Sequence, residues 1–194
     1  MEENKIVIEN TQSTVVAKYE ADEQRETDYQ SEAALEKAFI ELLQQQAYEY
    51  LPLHTEAELI SNLRKEIEKL NHIQFTNSEW NRFYKDILAN QNNGIVEKTF
   101  LIQEDNVQSF TFDDGHQDNV TIFDKKNVHN NYLQVINQYT PEGGARENRY
   151  DVTILVNGLP LVHVELKRRG VPIRQAFNQI NRYQRESFWS GTGL

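Results

Sequence analysis

The chain has no cysteine, which excludes disulfide bridges and thiolate metal sites. It has no apolar run near the roughly 20 residues a membrane span needs. Its first residues, Met1-Glu-Glu-Asn-Lys, lack the basic and then apolar pattern of a secretory signal. A cytoplasmic protein with no membrane attachment is therefore expected. No Gly-x-x-x-x-Gly-Lys-Ser/Thr occurs, so no phosphate loop for ATP is encoded in this stretch. The five histidines, at 54, 72, 116, 129 and 163, form no close ligand pair, and no zinc pattern exists. Internal repeats and low-complexity tracts are also lacking.

What is present suits one soluble α/β domain with an extension. The 194 residues are 38% hydrophobic and 26% charged, with a net charge of −10. Acidity on that scale is awkward for binding a phosphate backbone. It is not evenly spread, however. Lys167, Arg168, Arg169, Arg174, Arg182 and Arg185 run without an intervening acid, which leaves a local basic patch.

Residues 1–29 are polar and read as an N-terminal arm with two short edge strands, Ile6-Val7-Ile8 and Val15-Val16-Ala17. Ser31 is placed to cap a helix that runs to about Gln46, with Ala34, Leu35, Ala38, Phe39, Leu42 and Leu43 at helical spacing. Further helices are expected over 56–70 and about 78–90. Together they form a helical insertion at about 56–90. Strands are expected at Thr99–Gln103, Val107–Phe112, Val120–Asp124 and Tyr132–Tyr139, with a hairpin turn at Asp113-Asp114-Gly115. Residues 140–149 read as a loop. Two apolar strands, Val152–Val156 and Leu161–Lys167, precede a helix from about Pro172 to Phe188.

The chemistry concentrates at 150–169. Alternation along a strand sends Val162, Val164 and Leu166 to one face, into a core, and Glu165 and Lys167 to the other. An acid and an amine at the end of a buried strand need a reason, because unpaired charge there is expensive. Phosphodiester hydrolysis supplies one. Two acids can hold Mg²⁺ against the phosphate, and a lysine can orient water or offset the growing charge. Asp151, on the preceding strand, is the second acid. A strict two-residue turn at Asn157-Gly158 would aim Asp151 away from Glu165; a three-residue loop, or a bulge at Gly158, would pair them on one face. The odd-length connection is expected.

Asp151 and Glu165-Leu-Lys167 resemble the aspartate and Glu-x-Lys signature of the PD-(D/E)xK nucleases. Tyr150 stands where that signature often has proline. The wider text is more specific. Asn148 through Val162, Val164 through Gly170, and Ala176 through Tyr183 resemble the N-terminal region of type I restriction enzyme R subunits. So do Tyr29-Gln-Ser-Glu, Asn77-Ser-Glu-Trp and Phe123-Asp-Lys-Lys-Asn127. The resemblance covers the chain from about residue 28. It implies a restriction-endonuclease-like core, a mixed β-sheet flanked by helices over 30–194 and truncated at its C-terminus. It also implies a Mg²⁺-dependent cut in unmodified duplex DNA after translocation, with ATP used only by motor domains beyond Leu194. Methyltransferase and specificity subunits are the implied partners.

The same resemblance matches Gln179 and Tyr183 to a Gln-x-x-x-Tyr motif whose i, i+4 spacing puts both on one helix face. A family acid on the first helix matches Glu32 or Glu36. Arg168, Arg169 and Arg182 are candidate DNA contacts, set against the plainer reading of solvated surface. Asp124-Lys-Lys126 repeats the acid-x-lysine pattern but has no second acid on a neighbouring strand, and reads as structural. Two rival functions stand beside the nuclease: a non-catalytic docking module on the methyltransferase complex, and a stand-alone repair or junction nuclease. A domain this acidic should bind DNA weakly and cut poorly when isolated.

Overall fold

The computed structural model describes residues 6–9, 14–16, 31–139, 150–168 and 170–183. In the arm, β1 (Ile6–Glu9) and β2 (Thr14–Val16) pair antiparallel. Helix α1 (Glu32–Gln45) begins where Ser31 Oγ accepts the Ala34 N–H at 3.1 Å, filling one of the donors a helix start leaves open. A two-residue strand, β3 (Glu49–Tyr50), leads to α2 (Glu56–Asn71). Both α2 and α3 (Asn77–Phe83) open on reciprocal capping boxes, Thr55 with Glu58 and Thr76 with Glu79. The helix expected over 78–90 is not uniform: after Phe83 it widens into a π turn, Tyr84–Leu88.

Thr99–Gln103, expected as a strand, is helical. It belongs to α4 (Ile95–Gln103). A short apolar run cannot distinguish the two states by periodicity; here Gly94 starts the turn, its carbonyl accepting the Lys98 N–H at 3.0 Å. Thr99 turns its own hydroxyl onto the Ile95 carbonyl at 2.7 Å. Strands β4 (Val107–Thr111) and β5 (Gln117–Thr121) form a hairpin around Asp113-Asp114-Gly115, with φ of 87° at Gly115. β5 ends before the expected Asp124. Asp124 instead accepts the N–H groups of Lys126 and Asn127 at 3.0 and 2.8 Å and the Asn130 amide at 2.7 Å, a turn role that agrees with the structural reading.

The central sheet has the order β3-β6-β7-β8, with β6 (Leu133–Tyr139), β7 (Tyr150–Val156) and β8 (Leu159–Val164) antiparallel and β3 parallel to β6. Mixed pairing follows from the connections: a long crossover with α2, α3, α4 and the β4–β5 hairpin separates β3 from β6, and a two-residue turn joins β7 to β8. Ile40 and Leu43 of α1 bury Val135 and Val152. Leu59 of α2 packs with Ile136, Leu155, Tyr139 and Tyr150. The largest cluster joins Leu63 and Ile67 of α2 to Phe75, Trp80 and Phe83, the β4–β5 hairpin and Leu159. The domain is thus a mixed α/β fold with helices against its sheet. Its last described helix, α5 (Ile173–Tyr183), follows an irregular stretch after β8. No helix among the described residues is long and apolar enough to cross a membrane.

Two corrections concern β8. The expected strand Leu161–Lys167 is Leu159–Val164, so Glu165 to Arg168 lie beyond the ladder. Val164 and Leu166 do reach the α1 cluster, but Val162 remains 47% exposed on this outermost strand. The second correction is the register. Asn157 (φ 51°) and Gly158 (φ 82°) make the strict two-residue turn, with Val156 opposite Leu159. Both positive φ values match the twist of the flanking strands. The odd residue comes instead at Leu161, between the pairs Leu155–Pro160 and Ile154–Val162. Pro160 has no N–H to give the ladder, so the strand bulges beside it. The outcome for the strand ends is the one the expected bulge would have produced.

Candidate active site

Beyond the bulge, β7 and β8 run in register through Val152 opposite Val164, which carries Asp151 and Glu165 to adjacent positions. Asp151 Oδ2 accepts the Leu166 N–H at 2.8 Å, so the acid on one strand pins the backbone between Glu165 and Lys167. That bond holds the site together where the ladder has ended. Lys167 Nζ donates to Glu165 Oε1. The Lys167 side chain is 19% exposed and that of Glu165 only 3%.

Burial raises the Glu165 pKa, the Lys167 hydrogen bond works against that rise, and the nearby Asp151 charge adds to it. For Lys167, burial opposes the charge, but the hydrogen bond to Glu165 and the charges of Glu165, Asp151 and Glu32 outweigh it. Its pKa rises above the usual lysine value. Lys167 is therefore a cation at neutral pH. Two acids crowding one lysine leave negative charge uncompensated.

Glu165 Oε2 is buried with no hydrogen-bond partner among the described residues. A carboxylate oxygen left so in a protein interior is expensive, and a hard divalent cation is the ligand whose chemistry answers it. The residues present fit Mg²⁺, which Asp151 and Glu165 would hold. No group of three or more His, Asp or Glu side chains that could hold a metal occurs among the described residues. Mg²⁺ commonly keeps several waters and takes only one or two carboxylates from the protein, so two acids suffice.

The structure gives different surroundings to the two candidate acids on α1, Glu32 and Glu36. Glu36 is engaged by β6: Asn137 Nδ2 donates to its Oε1 at 2.6 Å, and Gln138 Nε2 to its Oε2. Glu32, one turn earlier, is exposed and its charge acts on Lys167. Arg168 is exposed and Gln179 partly buried. Arg182 and Tyr183 fall on the last described turn of α5, but their side chains, like Arg169 and the loop 140–149, lie outside the described residues.

Sequence reasoning passed over two features. His163, one of the five histidines without a close ligand pair in the sequence, meets the Thr153 hydroxyl at 2.8 Å through Nδ1 and stacks on Tyr150 at 4.1 Å between centroids. It ties β8 to β7 beside Asp151. Burial lowers its pKa to about 4, so the ring is neutral. Gln138 was not singled out at all, and its left-handed backbone (φ 55°) leaves no mark in a polar residue's identity.

The architecture defines a class first: an α/β domain that gathers an acid pair and a lysine at the end of one hairpin. Residues 29–194 match the family model described as type I restriction enzyme R protein N terminus. The EcoprrI type I restriction enzyme endonuclease subunit of Escherichia coli is 45% identical over 191 residues, 98% of this chain and 61% of that protein. The SsaAORF53P endonuclease subunit of Staphylococcus saprophyticus and the SauCOLORF180P subunit of Staphylococcus aureus are each 36% identical over 171 residues. Those matches cover 86% of this chain and 17% of each relative. The chain belongs to the family of type I restriction enzyme R protein N-terminal regions. It spans about three-fifths of the length of the E. coli relative and about one-sixth of the staphylococcal ones.

Proposed function

We infer that this chain is the Mg²⁺-dependent endonuclease domain of a type I restriction R subunit, built on a PD-(D/E)xK core over residues 30–194. One observation carries the reading. Asp151 and Glu165 stand side by side at the end of the β7–β8 hairpin with Lys167 bound to Glu165, and a buried oxygen of Glu165 has no hydrogen-bond partner among the described residues. Mg²⁺ bound there supplies positive charge against the phosphoryl group and lowers the pKa of water. Asp151 and Glu165 hold that ion. Lys167, kept protonated by its acidic neighbours, serves as a hydrogen-bond donor that orients the attacking water or offsets charge in the transition state.

Duplex DNA is the substrate, with Arg168, Arg169 and Arg182 as the residues that receive its phosphates and Gln179 and Tyr183 to position substrate or metal. The acidic total suits a domain handed its DNA by an ATP-driven motor elsewhere in the longer subunit, within a complex of methyltransferase and specificity subunits in the cytoplasm. The test uses that assembled complex. Asp151→Asn and Lys167→Ala should each slow cleavage by at least about 100-fold, in keeping with the loss of one charge-stabilising group, while ATP-driven translocation continues. Cleavage at the wild-type rate in either variant would leave only the docking role.

A further inference from the structure

Strand β6 carries a left-handed, non-glycine residue where it runs beside Asp151. Gln138 lies between the paired positions Asn137–Val152 and Tyr139–Tyr150, which puts it in register with Asp151. Successive residues of a regular strand point to opposite faces. Here Asn137 and Gln138 both deliver an amide to one carboxylate, each to a different oxygen of Glu36. The backbone turn at Gln138 (φ 55°) breaks the alternation and brings the second amide round. Meanwhile Gln138 Oε1 is buried with no hydrogen-bond partner among the described residues. The fold thus accepts an unfavourable backbone and an unpaired acceptor at one residue, a combination that concentrates at functional sites.

Glu36 sits one helical turn from Glu32 on α1. We propose that Gln138 is a positioning residue for cleavage: with Asn137 it clamps Glu36 of α1 onto β6 directly across the ladder from Asp151, and so holds the layer on which Asp151 stands. This rests on the reading of Asp151, Glu165 and Lys167 as the cleavage centre. Glu36 is then the anchor of α1.

Gln138→Gly in the full-length subunit, assayed in its complex, separates this role from a structural one. Glycine adopts a left-handed backbone without strain but carries no amide. The melting temperature should hold or rise, while kcat for DNA cleavage falls about 10-fold and KM for DNA stays within about twofold, since small displacements of reacting groups cost rate steeply. A lower melting temperature with kcat per folded molecule unchanged would overturn the proposal. Glu36→Gln and the double variant complete a cycle. Because Gln138 works through Glu36, the double variant should cut no more slowly than the slower single variant; losses that multiply would show independent roles and also overturn it. Asp151→Asn, run alongside, tells the two failures apart. Cleavage that survives Asp151→Asn removes the underlying reading and this one with it. Cleavage lost there but intact in Gln138→Gly removes only the clamp.

Discussion

Adding one methyl group at Gly158 should destabilise the whole domain, because the turn between β7 and β8 is pressed against the middle of α2. A Cβ built on Gly158 would lie 2.5 Å from Leu63 Cα and 3.0 Å from Leu63 N. Those are backbone atoms of a residue that is fully buried, so no side chain can swing aside. The residue is also left-handed, at φ 82°. Left-handed alanine costs about 1–2 kcal/mol, and forcing extra volume into a packed core adds about 1–3 kcal/mol. Gly158→Ala should therefore lose about 2–5 kcal/mol, or about 4–20 °C in melting temperature for a chain of this size. Gly115 provides the control. Its φ is 87°, yet a Cβ there would meet nothing within 4 Å, so Gly115→Ala should show the backbone cost alone, about 1–2 kcal/mol. Urea unfolding of both variants measures the difference. If Gly158→Ala proves no more damaging than Gly115→Ala, the turn does not bear on α2 as described.

The neighbouring Asn157 is fully buried, and its amide donates to the Ile122 carbonyl at 3.0 Å and to Asn131 Oδ1 at 2.8 Å. Asn157→Asp replaces those donors with a buried acceptor and should cost at least about 3 kcal/mol in denaturant unfolding; a loss below 1 kcal/mol, well under that order, would contradict the network. His163 predicts a pH effect. Its pKa is lowered to about 4 from 6.5 by burial, so between these values the unfolded chain binds a proton that the folded chain refuses. Stability should fall as pH drops from 6.5 toward 4. His163→Phe should shift stability by a constant, through loss of the Thr153 contact, while flattening that slope. An unchanged slope would show that His163 titrates normally.

Much of this architecture could be read from local residue chemistry. Ser31 marked the start of α1, and Asn157-Gly158 marked a turn. Each depends on a handful of consecutive residues and on backbone preferences that act within them. Thr99–Gln103 was misread because its side chains suit a strand and a helix equally, and the choice fell to the capping glycine and the surrounding helix. The register of β8 was anticipated in its result but not its cause. Where the extra residue sits depends on Pro160 meeting a particular partner across the ladder, and pairing is not a local property.

By itself, the sequence determined the helices with strong caps, the apolar strands, and the candidacy of Asp151, Glu165 and Lys167, since residue type and spacing state what chemistry is possible. Tertiary structure alone decided that Asp151 grips the Leu166 N–H, that Glu165 keeps a buried oxygen unpaired, and that Glu36 is held by β6 while Glu32 acts on Lys167. Those outcomes turn on distance and desolvation between segments far apart in the chain. Local preference cannot encode them, because a carboxylate's energy depends on which groups and how much water the folded chain leaves beside it.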